Sequence, residues 1–128
     1  MEIIKIVILA LSALLLLFVG TMRLFNPIKT YLNSSGIKLE NDADLLNEIR
    51  GISAVMLCAG IIIVLGIFVP TITFTSFVVG SLIFVGFAIG RLISISADGK
   101  PNKQIIQGIT FELVLGTANI FGVMNTLA

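Results

Sequence analysis

The stretch that decides the fold is residues 51–90, GISAVMLCAGIIIVLGIFVPTITFTSFVVGSLIFVGFAIG, which contains no Asp, Glu, Lys or Arg. A helix needs about 20 apolar residues to cross the hydrocarbon core of a bilayer, so this run is too long for one span. Pro70 divides the run, because proline interrupts the helical hydrogen bonds and disfavours helix at the residue before it. The stretch therefore predicts two consecutive membrane helices that meet near Val69.

The flanking sequence adds one apolar segment on each side. Residues 6–22 are uncharged between Lys5 and Arg23, and the last apolar segment carries Glu112 as its single charge. A cleaved signal peptide is the alternative for the first segment, but its apolar run exceeds a usual signal core and lacks a clear cleavage site. The sequence predicts an all-α, integral membrane four-helix bundle, a single transmembrane domain over residues 1–128 with spans at about 3–23, 46–69, 71–96 and 103–126.

Composition agrees with this class and excludes several others. The 128 residues are 57% hydrophobic and 12% charged, with a mean hydropathy of +1.13. The net charge of +1 comes without a basic run, so nucleic acid is not a predicted partner. The sequence has no histidine, one cysteine and no CxxC or phosphate-binding glycine loop. Ser-His and Cys-His catalysis, a His metal site and an internal disulfide are therefore excluded, and we predict no catalytic residue, metal or cofactor.

Residues 27–48 form the only extended polar region. Asn26 and Pro27 suit the N-cap and first turn of a new helix, and Ile28, Tyr31 and Leu32 recur at helical spacing. We expect a short interfacial helix between spans 1 and 2. It could be a lid over the bundle or a plain connector, and the connector is the more common use of such a loop.

Two charges lie inside the last two spans. Counting at about 1.5 Å per residue from the turn between these spans places Arg91 roughly 10 Å deep and Glu112 roughly 14 Å deep. The side chain of an arginine covers this difference, so a direct pair is geometrically possible. Such a pair could fix the packing of two helices or mark a functional site. Charges within a membrane are costly unless they face protein, water or each other, and they commonly mark functional sites.

Small residues predict how the last two spans pack. Gly86 and Gly90 form a GxxxG pattern, which favours close helix packing. In the fourth span Gly108, Glu112, Gly116 and Asn119 share one face, which should point toward the bundle interior.

The predicted ligand-binding site comprises Arg50, Arg91, Glu112, Glu48 and Asn119. The first four lie at compatible depth beneath one end of the bundle, and Asn119 extends the polar face toward the membrane centre. They could line one cavity that is apolar below and charged near its mouth. This cavity would suit an amphipathic small molecule, a lipid or a quinone.

Charge distribution predicts orientation. Loop 1 joins spans 1 and 2, and loop 3 joins spans 3 and 4. Seven of the eight Lys and Arg residues belong to these two loops or to the half of the bundle nearest them. By the positive-inside rule, we expect a multi-pass protein of the cell inner membrane with loops 1 and 3 in the cytoplasm and both termini outside.

The sequence also resembles a known family. Glu48-Ile49-Arg50-Gly51 at the second span, Gly90-Arg91-Leu92, Asp98-Gly99-Lys100-Pro101 and Glu112 together resemble a family of small uncharacterised bacterial four-helix membrane proteins, over most of the chain. They are more distantly similar to the DoxX-like group. That similarity implies a four-helix bundle and links with quinone-reducing membrane complexes or with assembly of other membrane proteins, but no residue-level role.

Three functions fit these features. The first is a binding protein that holds an amphipathic ligand in the charged pocket. The second is a non-catalytic interaction or assembly subunit, in which small-residue faces pack against a second copy or another membrane protein. The third, which leaves enzyme activity open, is a membrane-embedded isomerase or proton-coupled carrier using Glu112; it ranks last because no second catalytic residue type and no paired repeats are visible.

Overall fold

The computed structural model describes residues 2–127, and these residues fold into helices joined by short connections. In chain order the elements are α1 (Glu2–Phe25), α2 (Pro27–Ser35), α3 (Ala43–Phe68), a 3₁₀ turn (Pro70–Ile72), α4 (Thr73–Asp98) and α5 (Lys103–Leu127). Four of them, α1, α3, α4 with its preceding turn, and α5, are long and apolar enough to cross a membrane. The predicted all-α class and the four apolar helices are confirmed.

Helix boundaries follow the local sequence signals. Pro27 is at the first turn of α2, and Gly36 ends it with a φ of 67°, a left-handed conformation that glycine adopts without strain. Asn26 occupies the N-cap position of α2, but its side chain makes no capping hydrogen bond. Asp42 caps α3 by accepting a hydrogen bond from the backbone N–H of Asp44.

The turn between α3 and α4 forms at Pro70, where the sequence predicts it. Ile72 is the N-cap of α4, although a threonine, Thr71 or Thr73, is the residue type that the sequence predicts there. The Thr73 hydroxyl instead donates to the carbonyl oxygen of Gly66 at 2.7 Å and so fastens α4 to the end of α3.

The four long helices pack in chain order: α1 against α3, α3 against α4, and α4 against α5. The bundle has two ends. Glu2, Pro70 and Thr126 line one shared depression, which places both ends of the described chain beside the α3–α4 turn. At the other end, the amide nitrogen of Asn102 donates to the carbonyl oxygen of Ser35, so α2 lies beside the α4–α5 turn. We call this second end the loop end.

The core combines aliphatic and aromatic side chains with a few small polar ones. The side chains with almost no exposure are Leu9, Ser12, Leu16, Ser53, Ile63, Ser76, Phe77, Phe84 and Asn119. The buried serine hydroxyls of Ser12, Ser53 and Ser76 donate to backbone carbonyls, which keeps them satisfied among apolar neighbours.

The glycines that allow close helix packing differ from those of the GxxxG pattern. An added Cβ at Gly80 would overlap the Asn119 side chain, and one at Gly122 would overlap the Phe77 ring. At Gly86 and Gly90, by contrast, a Cβ would meet nothing within 4 Å. Gly86 and Gly90 therefore make no close contact within the bundle formed by residues 2–127, because this face of α4 points outward. The close helix packing predicted for their GxxxG pattern stays a prediction.

Candidate functional site

Arg91 of α4 and Glu112 of α5 form an ion pair near the loop end. Nε of Arg91 donates to Oε2 of Glu112 at 3.1 Å and lies 2.9 Å from Oε1. The Arg91 side chain keeps 30% of its exposure and that of Glu112 only 11%. The pair that depth counting allowed is therefore present, and it joins the two helices through Nε rather than through the paired terminal nitrogens.

A small cavity of about 100 Å³ lies beside this ion pair. Its walls come from α1, α3, α4 and α5, and they are mostly aliphatic and aromatic: Leu15, Leu16, Val19, Arg23, Met56, Phe84, Phe87, Arg91, Gly108, Phe111 and Glu112. Sites for drug-sized ligands are typically about 300–1,000 Å³, so this space is smaller than one of them. The cavity can hold a small polar group but not a whole amphipathic molecule.

Arg23, near the end of α1, is the third charged residue of the cavity, and the sequence reasoning missed it as a site residue. Its terminal nitrogen lies 3.4 Å from the Ser35 hydroxyl, and its guanidinium lies 4.5 Å from the centre of the Tyr31 ring. Its Nε is buried and has no hydrogen-bond partner among residues 2–127. The spacing of Leu16, Val19 and Arg23 could have indicated this position, since residues at i, i+3 and i+7 share one face of a helix.

α2 packs against Arg23 at the loop end, although none of its residues lines the cavity. Its Tyr31 ring and buried Ser35 contact Arg23, and Ser35 also accepts from Asn102 at 2.8 Å through its carbonyl oxygen. Gln104 at the start of α5 donates to the carbonyl oxygen of Asn33 at 3.1 Å. The short helix is thus held to the bundle by contacts on both sides of the site.

The remaining predicted site residues lie elsewhere. Arg50 and Glu48 are exposed and do not line the cavity. A terminal nitrogen of Arg50 donates instead to the carbonyl oxygen of Leu24. The last carbonyls of a helix lack partners within it and attract cations, which explains why Arg50 turns toward the end of α1. The structure therefore does not form one cavity lined by all five predicted residues, because only Arg91 and Glu112 line the cavity.

Asn119 is buried deeper in the bundle and also lies outside the cavity. Its amide nitrogen donates to the Ser12 hydroxyl at 2.9 Å and to the carbonyl oxygen of Leu115 at 2.8 Å. It therefore links α5 to α1 across the core. The polar face predicted for α5 does point inward, but Asn119 uses its side chain to join two helices and does not line the cavity.

An open apolar groove separates α1 from α5 and adjoins the cavity. The groove has a volume of about 580 Å³ and is lined by Leu11, Leu14, Leu15, Phe18, Phe111, Val114 and Leu115. Leu15 and Phe111 line both spaces. The charged cavity therefore borders this apolar groove on the outer surface of the bundle.

This arrangement defines a class: a small multi-pass membrane protein built as a helical bundle with an ion pair in its interior. Residues 4–123 match the model of the family described as Domain of unknown function (DUF4345), and the chain belongs to that family. No curated protein and no solved structure matches the chain.

Proposed function

We propose that this protein binds an amphipathic small molecule in the membrane, with Arg91 and Glu112 as the residues that contact its polar part. The observation that carries the proposal is the cavity itself, in which an ion pair stands at one end of a mostly apolar space. Ligand sites commonly combine apolar walls with a few convergent polar groups. We assign no ligand contact to Arg50, Glu48 or Asn119, because none of them lines this space.

The polar atoms of the cavity support a binding role. Arg23 Nε is buried and has no hydrogen-bond partner among residues 2–127, whereas both carboxylate oxygens of Glu112 lie within 3.1 Å of Arg91 Nε. Buried polar atoms nearly always have partners, and leaving one unpaired costs about 1–3 kcal/mol. A bound group with an acceptor atom offers Arg23 Nε a partner, whereas a purely structural ion pair between Arg91 and Glu112 needs no open donor beside it.

Native mass spectrometry of the protein released from mild detergent tests this proposal. We expect one retained amphipathic molecule per wild-type chain and its loss in the Arg91→Gln, Glu112→Gln double variant, which keeps the net charge. The matched control is the Glu2→Gln, Lys5→Gln double variant, which removes a pair 3.9 Å apart at the other end of the bundle and also keeps the net charge. Equal retention by both variants, or no retained molecule on the wild type, would refute the proposal.

A role as an interaction or assembly subunit is the second candidate, and the outward face of α4 favours it. Gly86, Gly90 and Ser94 are exposed along one side of that helix. In a bilayer, small residues on a helix surface allow another helix to approach closely. Crosslinking in native membranes tests this: recovery of monomer alone would reject it.

The predictions of a quinone ligand, of a role for Glu112 and of the orientation in the membrane are part of the same proposal. The distant DoxX-like similarity suggests a quinone as one ligand to test, and use of Glu112 in isomerisation or proton transfer stays the last-ranked alternative. We further propose an inner-membrane location with the loop end in the cytoplasm, supported by the basic residues at that end. A C-terminal reporter that folds only in the cytoplasm should be inactive, and an active one would reverse the orientation.

A further inference from the structure

We propose that the ligand is a long-chain carboxylate, with its head bound by Arg23 beside the Arg91–Glu112 pair and its chain lying in the groove between α1 and α5. The inference rests on the proposed binding function and specifies the ligand class. It also assigns a role to Arg23, which sequence reasoning had treated only as the boundary of the first span.

Charge balance favours an anionic head. The cavity contains two guanidinium groups and one carboxylate, so it carries one net positive charge. Glu112 occupies Nε of Arg91, whereas no acidic side chain of residues 2–127 forms a salt bridge with Arg23. A charge inside a membrane bundle is costly without a counter-charge, and a singly charged anion completes the neutralisation.

Donor geometry points to the same head group. The buried Nε of Arg23 has no hydrogen-bond partner, and neither terminal nitrogen of Arg91 donates to any of residues 2–127. Guanidinium donors match the two oxygens of a carboxylate particularly well. The volume of about 100 Å³ limits the head to a few atoms. A phosphate monoester is larger and carries about 1.5 to 2 negative charges at pH 7, more than the one net charge available.

The groove supplies the space that the cavity lacks. Its volume of about 580 Å³ lies within the range of about 300–1,000 Å³ typical of small-molecule sites, and all its lining residues are apolar. Leu15 and Phe111 line both spaces, so a chain in the groove lies next to a head in the cavity. The groove lies on the outer surface of the bundle and is lined only by apolar residues, so it gives the ligand a route from the bilayer.

Three probes with the same chain and different heads test the inference: oleate, oleyl phosphate and oleyl alcohol. Their binding to the purified protein is measured by native mass spectrometry over a concentration series. We expect oleate to bind about tenfold more tightly than oleyl alcohol, which corresponds to about 1.4 kcal/mol for the charged contact, and more tightly than oleyl phosphate. Arg23→Gln should bring oleate and oleyl alcohol to nearly equal affinity.

Matched variants separate recognition from folding. Lys38→Gln removes an exposed cation at the same end, and Ser35→Ala removes a contact of Arg23 while keeping its charge; both should retain the oleate preference. Val114→Trp fills the groove and should weaken all three probes, whereas Leu82→Trp, at a 70% exposed position on α4, should not.

The outcomes distinguish the two proposals. If the wild type binds none of the three chains, the carboxylate inference fails, whereas the proposed function fails only if the purified wild type also retains no amphipathic molecule. If it binds the alcohol as tightly as oleate, or if Arg23→Gln keeps the preference, the carboxylate inference alone fails. Tighter binding of oleyl phosphate than of oleate would overturn the carboxylate assignment, and unchanged binding in Val114→Trp would overturn the assignment of the groove.

Discussion

Glutamine substitutions at Arg91 and Glu112, singly and together, should show strong energetic coupling between the two side chains. Nε of Arg91 is 2.9 and 3.1 Å from the two carboxylate oxygens. For charge centres about 4 Å apart, an effective dielectric constant of about 20 gives an attraction of about 4 kcal/mol, which desolvation reduces. Measured couplings between contacting residues are about 0.5–3 kcal/mol, so we expect about 2 kcal/mol.

The single variants should differ from each other. Arg91→Gln leaves the carboxylate of Glu112 without its partner at a side chain only 11% exposed, and we expect a loss of about 3 kcal/mol. Glu112→Gln leaves an arginine whose side chain is 30% exposed and can turn toward water, so its loss should be about half as large. The double variant should then be more stable than the sum of the single losses indicates.

The assay is unfolding in mixed micelles by titration with a denaturing detergent, followed by circular dichroism. Glu2 and Lys5 provide the control cycle, because their pair is 3.9 Å apart and Glu2 is 85% exposed. Although Lys5 is only 16% exposed, a 3.9 Å contact to a carboxylate in water couples weakly, and we expect less than about 0.5 kcal/mol. If the Arg91 and Glu112 losses add to within about 0.5 kcal/mol, the pair does not contribute as the geometry indicates.

Further predictions concern glycine packing, Arg50, which does not line the cavity, and the depth of Cys58 in the membrane. Gly122→Ala should lower the unfolding free energy by about 1–3 kcal/mol, because the new methyl group overlaps the buried Phe77 ring, whereas Gly86→Ala should leave it unchanged or raise it; equal effects of the two substitutions would contradict the packing described. Arg50→Gln removes the hydrogen bond to Leu24 and should change oleate affinity by less than twofold, so a tenfold loss would return Arg50 to the binding site. Cys58 lies about 15 Å along α3 from Phe68, so it should resist a water-soluble maleimide in lipid vesicles and react after unfolding. A Lys38→Cys, Cys58→Ala variant is the control. Labelling of Cys58 in intact vesicles as rapid as that of the control would contradict its membrane position.

The spans and the central ion pair could be predicted because both depend on position along the chain. The uncharged run of residues 51–90 and its single proline determine where two helices begin and end, and α3 and α4 meet at the expected turn. Depth along a helix likewise follows from residue counting, which is why Arg91 and Glu112 could be paired across the α4–α5 turn.

The rest of the site depends on the direction in which each helix faces, which residue counting does not provide. Arg50 and Arg23 lie near the same end, but the free carbonyl at the end of α1 attracts Arg50, while Arg23 lines the cavity beneath Tyr31. Gly86 and Gly90 have the spacing of a helix-packing motif, but their side of α4 points outward and contacts no other helix of the bundle formed by residues 2–127. Rotation about each helix axis is set by packing of the whole bundle.

Photolabelling with a long-chain carboxylate that carries a diazirine near the chain terminus tests the central claim most directly. After irradiation in lipid vesicles, mass spectrometry of peptides locates the labelled residues. We predict labels concentrated on the groove residues of α1 and α5, such as Leu14, Phe18 and Val114, and competition by excess oleate. Labels spread over the outer faces of α3 and α4 in proportion to their exposure, without competition by oleate, would contradict the account.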